Sequence, residues 1–299
     1  MPKLLTPRQP KKSRRPLGLV LLVLLTSLAS LNLALGAVRL QRTRVIRTTP
    51  FVNKNVSMRD NEGSAYVPRN KSLWLADDNG RAVFEVNPAT GGLKRAIGRK
   101  QFESARRLGG GPRAGVDRTR DFESIAYDRA HDALYVFSST CCGQSVLPAA
   151  FRLKRNARGV FRVASYQPLP RTTKITAAAW NAASGKLFVG FGRDLRRYDY
   201  ARNDLGRAFR VPNLTDITGM GFSPDGRFLL VTTGDEQLRR VRWATKRLVA
   251  GWTVGLERFG IHDSRGVGVI AGRYYVSDGD DARSNADPLK YAVHVLTLR

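Results

Sequence analysis

The chain has 299 residues, 51 Lys and Arg against 24 Asp and Glu, a net charge of +27, and 42% apolar residues. That apolar content excludes a disordered polyelectrolyte. Two Cys exclude a disulfide framework or a four-thiolate zinc site, and three His leave little room for a His-rich metal centre. Arg supplies 39 of the basic residues in a chain that also has 28 Gly, so the charge is partly compositional and does not by itself name a polyanion as partner.

Residues 1–16 carry Lys3, Arg8, Lys11, Lys12, Arg14 and Arg15 and no acid, and an uncharged Leu-rich run follows from Leu17 to Val38, ending at Arg39. This is the layout of a signal peptide or a signal anchor over residues 1–38. Ala34-Leu35-Gly36 offers a small-x-small cleavage pattern, and a run of about 22 residues also suffices to span a bilayer. Both readings place residues 39–299 outside the cytoplasm, secreted, periplasmic or tethered to the membrane, because the basic flank stays inside. Ser13-Arg14-Arg15 is read as an ordinary basic flank rather than a twin-arginine signal. Loss of residues 1–36 would still leave a charge of +21.

From there the chain repeats one pattern: apolar strand, tight turn, apolar strand, small or acidic loop, further strands. The first unit is Glu62 to Val67, a turn at Pro68 to Lys71, then Leu73 to Ala76. An insertion, Gly98 to Arg120, follows; it holds seven Arg and Lys against Glu103 and Asp117 and is read first as a solvated, mobile loop, with a lid or a basic arm for an anionic ligand as the alternatives. The second unit runs from Glu123 to Asp128, then Leu134 to Phe137; the third from Ile175 to Trp180, then Leu187 to Gly190. The clearest copy is the fourth, Asp216 to Phe222, the turn Ser223-Pro224-Asp225-Gly226, Phe228 to Thr233, and two more strands within 237–254. Pro presets φ and Gly accepts positive φ in such a turn. The fifth unit is Gly266 to Ile270, then Tyr274 to Ser277, then Ala292 to Leu298, where the chain stops one strand short.

Tyr66, Tyr127, Trp180, Phe222 and Val269 align across the units at spacings of 61, 53, 42 and 47 residues. Four-stranded repeats of this length predict an all-β fold, a five-bladed β-propeller over residues 39–299, expected to be a monomer and to meet the membrane only through an uncleaved N-terminal segment; a sixth blade hidden in 98–120 is the alternative. The β-rich piece Arg44 to Thr49 is expected to pair with 292–298 and close the ring. The small residues Gly63, Ala126, Ala178 and Gly221 suit crowded inner strands, and no long amphipathic helix is expected after residue 40.

In a four-stranded meander, the linker into the first strand and the loop between the second and third strands share one face. Those segments carry Asp60 and Glu62, Asp121 and Glu123, Asp216, His262-Asp263, Asp77-Asp78, Asp194, Asp235-Glu236, and Asp278-Gly279-Asp280-Asp281. The reading therefore gathers acids at one mouth of the central channel, while Asp132 and Asp225 fall in structural turns on the opposite face. Crowded carboxylates call for a cation. Asp60, Glu62, Asp121, Glu123, Asp278 and Asp280 are candidate ligands for Ca²⁺, which takes carboxylate and carbonyl oxygens. Glu62, Glu123, Asp216 and Asp263 are candidate ligand-binding residues, and His262 is the candidate base. Cys141-Cys142 faces the same mouth, either as a vicinal disulfide or as two thiols.

The phrases Asp60-Asn61-Glu62-Gly63-Ser64-Ala65-Tyr66 and Asp121-Phe122-Glu123-Ser124-Ile125-Ala126-Tyr127 resemble the strand openings of exported propellers of the SdiA-regulated and phytase-like (esterase-like) group. Ser223-Pro224-Asp225-Gly226-Arg227 with Leu229-Leu230-Val231-Thr232 resembles lactonase-like and YVTN-type repeats. The resemblance implies a secreted propeller with calcium sites and directs attention to Glu62 and Glu123. Three functional readings follow: a ligand-binding propeller, for a small or anionic ligand; a metal-assisted hydrolase of phosphoesters, esters or lactones at the same mouth; and an envelope protein resting on anionic polymers. No nucleic-acid motif is present, and nucleic acid is not expected as a partner.

Overall fold

The computed structural model describes residues 38–48, 51–53, 56–79, 81–108, 121–139, 148–170, 174–279, 283–284, 287 and 289–299. The expected N-terminal helix, Cys141, Cys142 and Asp280 lie outside the described residues. No helix among the described residues is long and apolar enough to cross a membrane.

After strand β1 (Leu40–Ile46) and a small hairpin of β2 (Val52–Asn53) and β3 (Val56–Ser57), the chain forms successive antiparallel blades. Blade 1 is β4 (Asn61–Val67), β5 (Ser72–Asp77), β6 (Ala82–Val86) and β7 (Leu93–Gly98). Helix α1 (Arg99–Leu108) leads to blade 2, which is β8 (Phe122–Asp128), β9 (Ala133–Ser138), β10 (Ala149–Arg155) and β11 (Phe161–Pro168). Blade 3 is β12 (Ala177–Asn181), β13 (Lys186–Phe191), β14 (Asp194–Asp199) and β15 (Asp204–Leu205). Blade 4 is β16 (Ile217–Phe222), β17 (Phe228–Thr233), β18 (Gln237–Arg242) and β19 (Arg247–Gly255). Blade 5 is β20 (Ser264–Ile270), β21 (Arg273–Asp278), β22 (Val293–Leu298) and, on its outer edge, β1. The first strands touch in a closed cycle, β4 to β8, β12, β16, β20 and back to β4, which makes the sheets a five-bladed ring.

The ring closes as expected, with a shift in which residues do it: the pairing strand is 40–46 rather than 44–49, running from Leu40 opposite Leu298 to Ile46 opposite Val293. Leu40 and Ile46 are buried at opposite ends of this strand, and their apolar contacts fix its register one turn earlier in the chain than the β-branched composition suggested. The pairing removes two free edges at once.

Both faces of every blade are covered, which explains the unbroken apolar runs of the second strands. Along β5, Leu73 and Leu75 pack toward blade 5 with Tyr275 and Val293, while Trp74 and Ala76 pack toward blade 2 with Ile125 and Val136. Each of the five apolar clusters fills one interface between neighbouring blades. At the inner strands the approach is backbone to backbone. A Cβ on Gly221 would lie 2.0 Å from the Val267 carbonyl oxygen, and one on Gly266 would lie 2.8 Å from Gly63 Cα. Only glycine fits there.

Two expectations are corrected. The insertion begins with a helix, α1, although no such helix was foreseen in an Arg-rich stretch of low apolar content. And α1 does not form a lid: Phe102 and Ala105 are buried, and the Arg106 guanidinium lies over Phe151 and Tyr166 of blade 2, at 5.6 and 5.2 Å from the ring centroids. The rest of the insertion, 109–120, lies outside the described residues.

Candidate functional site

The acids are positioned by a slip in strand register that recurs around the ring. In blade 1 the pairing of β4 with β5 shifts between Asn61 and Gly63, leaving Glu62 as the extra residue. The same shift lies between Phe122 and Ser124, between Ile217 and Gly219, and between Ser264 and Gly266, leaving Glu123, Thr218 and Arg265 as the extra residues. In blade 3, Thr176 stands at the corresponding place, its amide donating to Gly190 O at 3.1 Å and its hydroxyl to Ile217 O at 2.6 Å. A bulge re-aims one side chain without breaking the sheet. Here it sets a layer of Glu62, Glu123, Thr176, Thr218 and Arg265, each four residues before an aligned repeat position. Two residues further out stand Asp60, Asp121, Lys174, Asp216 and Asp263.

The charges divide unevenly. Asp60, Glu62, Asp121 and Glu123, from blades 1 and 2, are all buried. Glu62 neighbours Asp60, and Asp121 neighbours both Glu123 and Asp78, so the ionisation of each carboxyl is tied to that of the next. Burial pushes Glu62 up to about 7 against the pull of Arg265, with Asp263 and Asp78 adding to the rise. Burial and the neighbouring Asp121 likewise push Asp78 up to about 7. Glu123 is raised well above the carboxylate range by burial and then by the charges of Glu62 and Asp121. Opposite these acids, Arg265 lies 2.6 Å from Asp263 and 3.5 Å from Glu62. Burial pulls the Arg265 pKa down, but Glu62 and Asp263 outweigh it and the net direction is up. Arg265 also helps line a cavity of about 300 Å³ with Lys174, Thr176, Asp216 and Thr218.

The candidate residues thus separate into groups. Asp60, Glu62, Asp121, Glu123 and Asp263 come together, and Asp216 joins them on the cavity side, its carboxylate held near Gly192 and Gly234. Asp278 does not face the mouth. It is fully buried at the end of β21, where its carboxylate accepts from the Asp263 amide at 3.1 Å and lies near Arg283 (3.4 Å) and His294 (3.6 Å). Its counterpart Asp77 accepts from the Asp60 amide at 2.9 Å, so both brace an incoming linker. His262 is exposed and stands apart from the buried cluster. Asp132 and Asp225 serve turns, as their positions implied: Asp132 pairs with Arg69 and Arg155, and Asp225 accepts from the Arg227 amide.

Among the described residues, no group of three or more His, Cys, Asp or Glu is arranged to hold a metal ion; of the six candidate calcium ligands, Asp280 lies outside them. The Arg265 guanidinium and the raised pKa values of the buried carboxyls relieve the crowding of like charge.

Sequence reasoning put Asp78 at the mouth without naming it a site residue, and missed Lys174, Thr176, Thr218 and Arg265 altogether. The signal for these four was positional: counting back four and six residues from Tyr66, Tyr127, Trp180, Phe222 and Val269 finds both layers. A search for acids alone passes over the blades where the same positions carry Thr, Lys or Arg.

No protein-family model matches the chain, and no curated protein matches it in sequence. Among solved structures it is similar to the glutaminyl cyclase of Myxococcus xanthus, with a TM-score of 0.54 and 11% identity over 88% of this chain and 100% of that one. It is also similar to the PQQ-bound aldose sugar dehydrogenase of Streptomyces coelicolor, with a TM-score of 0.52 and 11% identity over 87% and 98% of the two chains. At this identity the likeness concerns the fold. It supports a β-propeller and does not extend to the SdiA-regulated or phytase-like group that the strand-opening motifs resemble.

Proposed function

We propose that this chain is an extracytoplasmic ligand-binding propeller, exported or tethered by residues 1–38, and that its acidic mouth takes a small polar ligand bearing an ammonium group. The observation that carries this reading is the division of charge at the mouth: the buried carboxyls of blades 1 and 2 are flanked by Arg265 beside Glu62 and by Lys174 beside Asp121 and Glu123. An ammonium group offers the desolvated Glu62 and Glu123 a close partner in addition to the flanking Arg265 and Lys174. Oxygen acceptors on the same ligand would meet Arg265, Lys174, Thr176 and Thr218. Asp216 and Asp263 complete the rim. Among the solved structures similar to this one, one is described as PQQ-bound and another as a glutaminyl cyclase, which is consistent with a propeller that binds a small molecule.

The test is calorimetric titration of the full chain with small amines and zwitterions, including glycine and putrescine, in two buffers of different ionisation enthalpy. Binding is expected to release protons, to tighten from pH 6 to pH 8, and to weaken at least about tenfold in Glu62→Gln and in Glu123→Gln. Calcium chloride is titrated in parallel. Saturable calcium binding lost in those two variants, with no amine binding, would replace the ammonium reading by a metal site.

A second reading is favoured by one observation, the position of Glu62 near neutrality beside a second raised carboxyl. A proton donor and acceptor poised near the working pH suit general acid–base hydrolysis. Turnover of phosphoester, ester or lactone substrates, abolished in both Gln variants while ligand binding persists, is the outcome that would select it.

A further inference from the structure

The five positions that mark the repeat in the sequence play no part in the acidic mouth. They lie at the other end of the inner strands. Tyr66, Tyr127, Trp180, Phe222 and Val269 are all half-buried, and together they line a cavity of about 200 Å³ whose floor is made of small residues. The two cavities share no lining residue. Between them the inner strands meet backbone to backbone: a Cβ on Gly63 would lie 3.1 Å from Ser124 Cα, and one on Gly219 would lie 2.6 Å from Gly266 Cα.

Four aromatic rings stand partly open around one concave space, whereas Phe84, Phe102, Phe122, Phe137 and Phe151, between blades, are fully covered. A concave apolar site with a few polar groups at its rim is the usual form of a small-molecule site. The volume limits the occupant to a one- or two-ring molecule, since an apolar cavity of about 150 Å³ holds benzene.

The rim supplies the charge. Arg129, exposed in the turn after β8, is part of the lining. The acids nearest to it in the chain are already engaged. Asp128 binds His131 at 2.7 Å, and Asp132 binds Arg69 at 3.0 Å, Arg155 at 2.8 Å and the Tyr127 hydroxyl at 3.0 Å. Arg129 takes part in no ion pair among the described residues. A lone guanidinium beside an aromatic cavity selects an apolar body with a planar anionic head.

We propose that this aromatic collar is a second binding site, for a small aryl carboxylate whose ring lies among Tyr66, Tyr127, Trp180 and Phe222 and whose carboxylate pairs with Arg129. It is independent of the ligand assigned to the acidic mouth and stands or falls separately from it.

The full chain is titrated with phenylacetate and with indole-3-acetate, followed by calorimetry and by Trp180 fluorescence. Phenylacetamide and benzylamine serve as neutral and cationic counterparts. Saturable binding of the carboxylates is expected, with the amide about tenfold weaker and the amine weaker still. In Arg129→Gln, carboxylate and amide should bind equally, at the affinity of the amide. Trp180→Leu, checked by thermal melting, should weaken all the ring ligands. The proposal is overturned if neither carboxylate binds saturably at millimolar concentration, if the wild-type chain binds amide or amine as well as carboxylate, or if Arg129→Gln leaves the preference intact. The wild-type comparison and Arg129→Gln decide the matter even where Trp180→Leu does not fold.

Discussion

At one end of the inner strands, blades 1 and 2 present Asp60, Glu62, Asp121 and Glu123, buried together and flanked by Arg265 and Lys174. At the other end, the same strands present Tyr66, Tyr127, Trp180, Phe222 and Val269 around an apolar cavity. Only four residues of chain separate Glu62 from Tyr66 or Glu123 from Tyr127. The difference comes from the backbone rather than from distance. The bulge at Glu62, Glu123, Thr218 and Arg265 changes which side chain the strand presents, and polar groups collect on its outer side. Beyond it, regular pairing resumes and apolar residues line the axis. A single irregularity repeated around a ring gives one scaffold two chemically opposite ends.

The partition between the ends is the most vulnerable part of this arrangement. Gly221→Ala would put a Cβ 2.0 Å from a backbone oxygen that no rotamer change can move. A loss of at least about 3 kcal/mol in denaturant unfolding is expected, whereas Gly255→Ala, with open space around the position, should have little effect. Equal tolerance of the two substitutions would mean that the inner strands do not pack as closely as the contrast requires.

The carboxyls of the acidic end should respond to pH, against an opposite contribution from His294, whose pKa burial lowers. The folded-state pKa of Glu62, about 7, lies above its ordinary value of 4.5. Its stabilising contribution is therefore fully present at low pH and is lost as pH rises toward and through about 7. Asp78, raised from 3.8 to about 7, has the same sign. Thermal midpoints measured without ligand should fall between pH 5 and pH 8. Glu62→Gln should flatten that slope, and Arg265→Gln should steepen it by removing the positive charge beside Glu62. A slope unchanged in both variants would separate the carboxyl cluster from the stability of the fold.

The smallest expected effect concerns the closing strand. Ile46→Val removes one methylene from a buried site where β1 meets blade 1 and should cost about 1 kcal/mol. The loss should fall equally on both ends, because the ring closes or opens as a whole. A loss confined to collar binding or to mouth binding would show that β1 supports one end only.

Much of this was readable from the chain because a propeller states its plan five times. The turn Ser223-Pro224-Asp225-Gly226 and the aligned aromatic positions identified the blades, and the missing strand after Leu298 pointed to a closing segment near the N-terminus. The acids of blades 1 and 2 were readable because Asp-x-Glu recurs in two linkers. Arg265, Lys174 and the two Thr residues were not, since a bulge leaves no mark in composition and their side chains differ from blade to blade. Helix α1 was hidden for a similar reason: Phe102, Ala105 and Arg106 form a face only because Phe151 and Tyr166 of blade 2 are there to receive it.

Local propensity and repetition, which act over a few residues at a time, were enough to determine the inner strands and their turns and left the count at five blades or six. The number of blades, which side chains share a mouth, which carboxyls are buried together, and which aromatic residues surround a cavity were decided by the closure of the ring. These properties depend on distances between residues far apart in the chain and on the removal of water from between them, and both exist only once the blades have met.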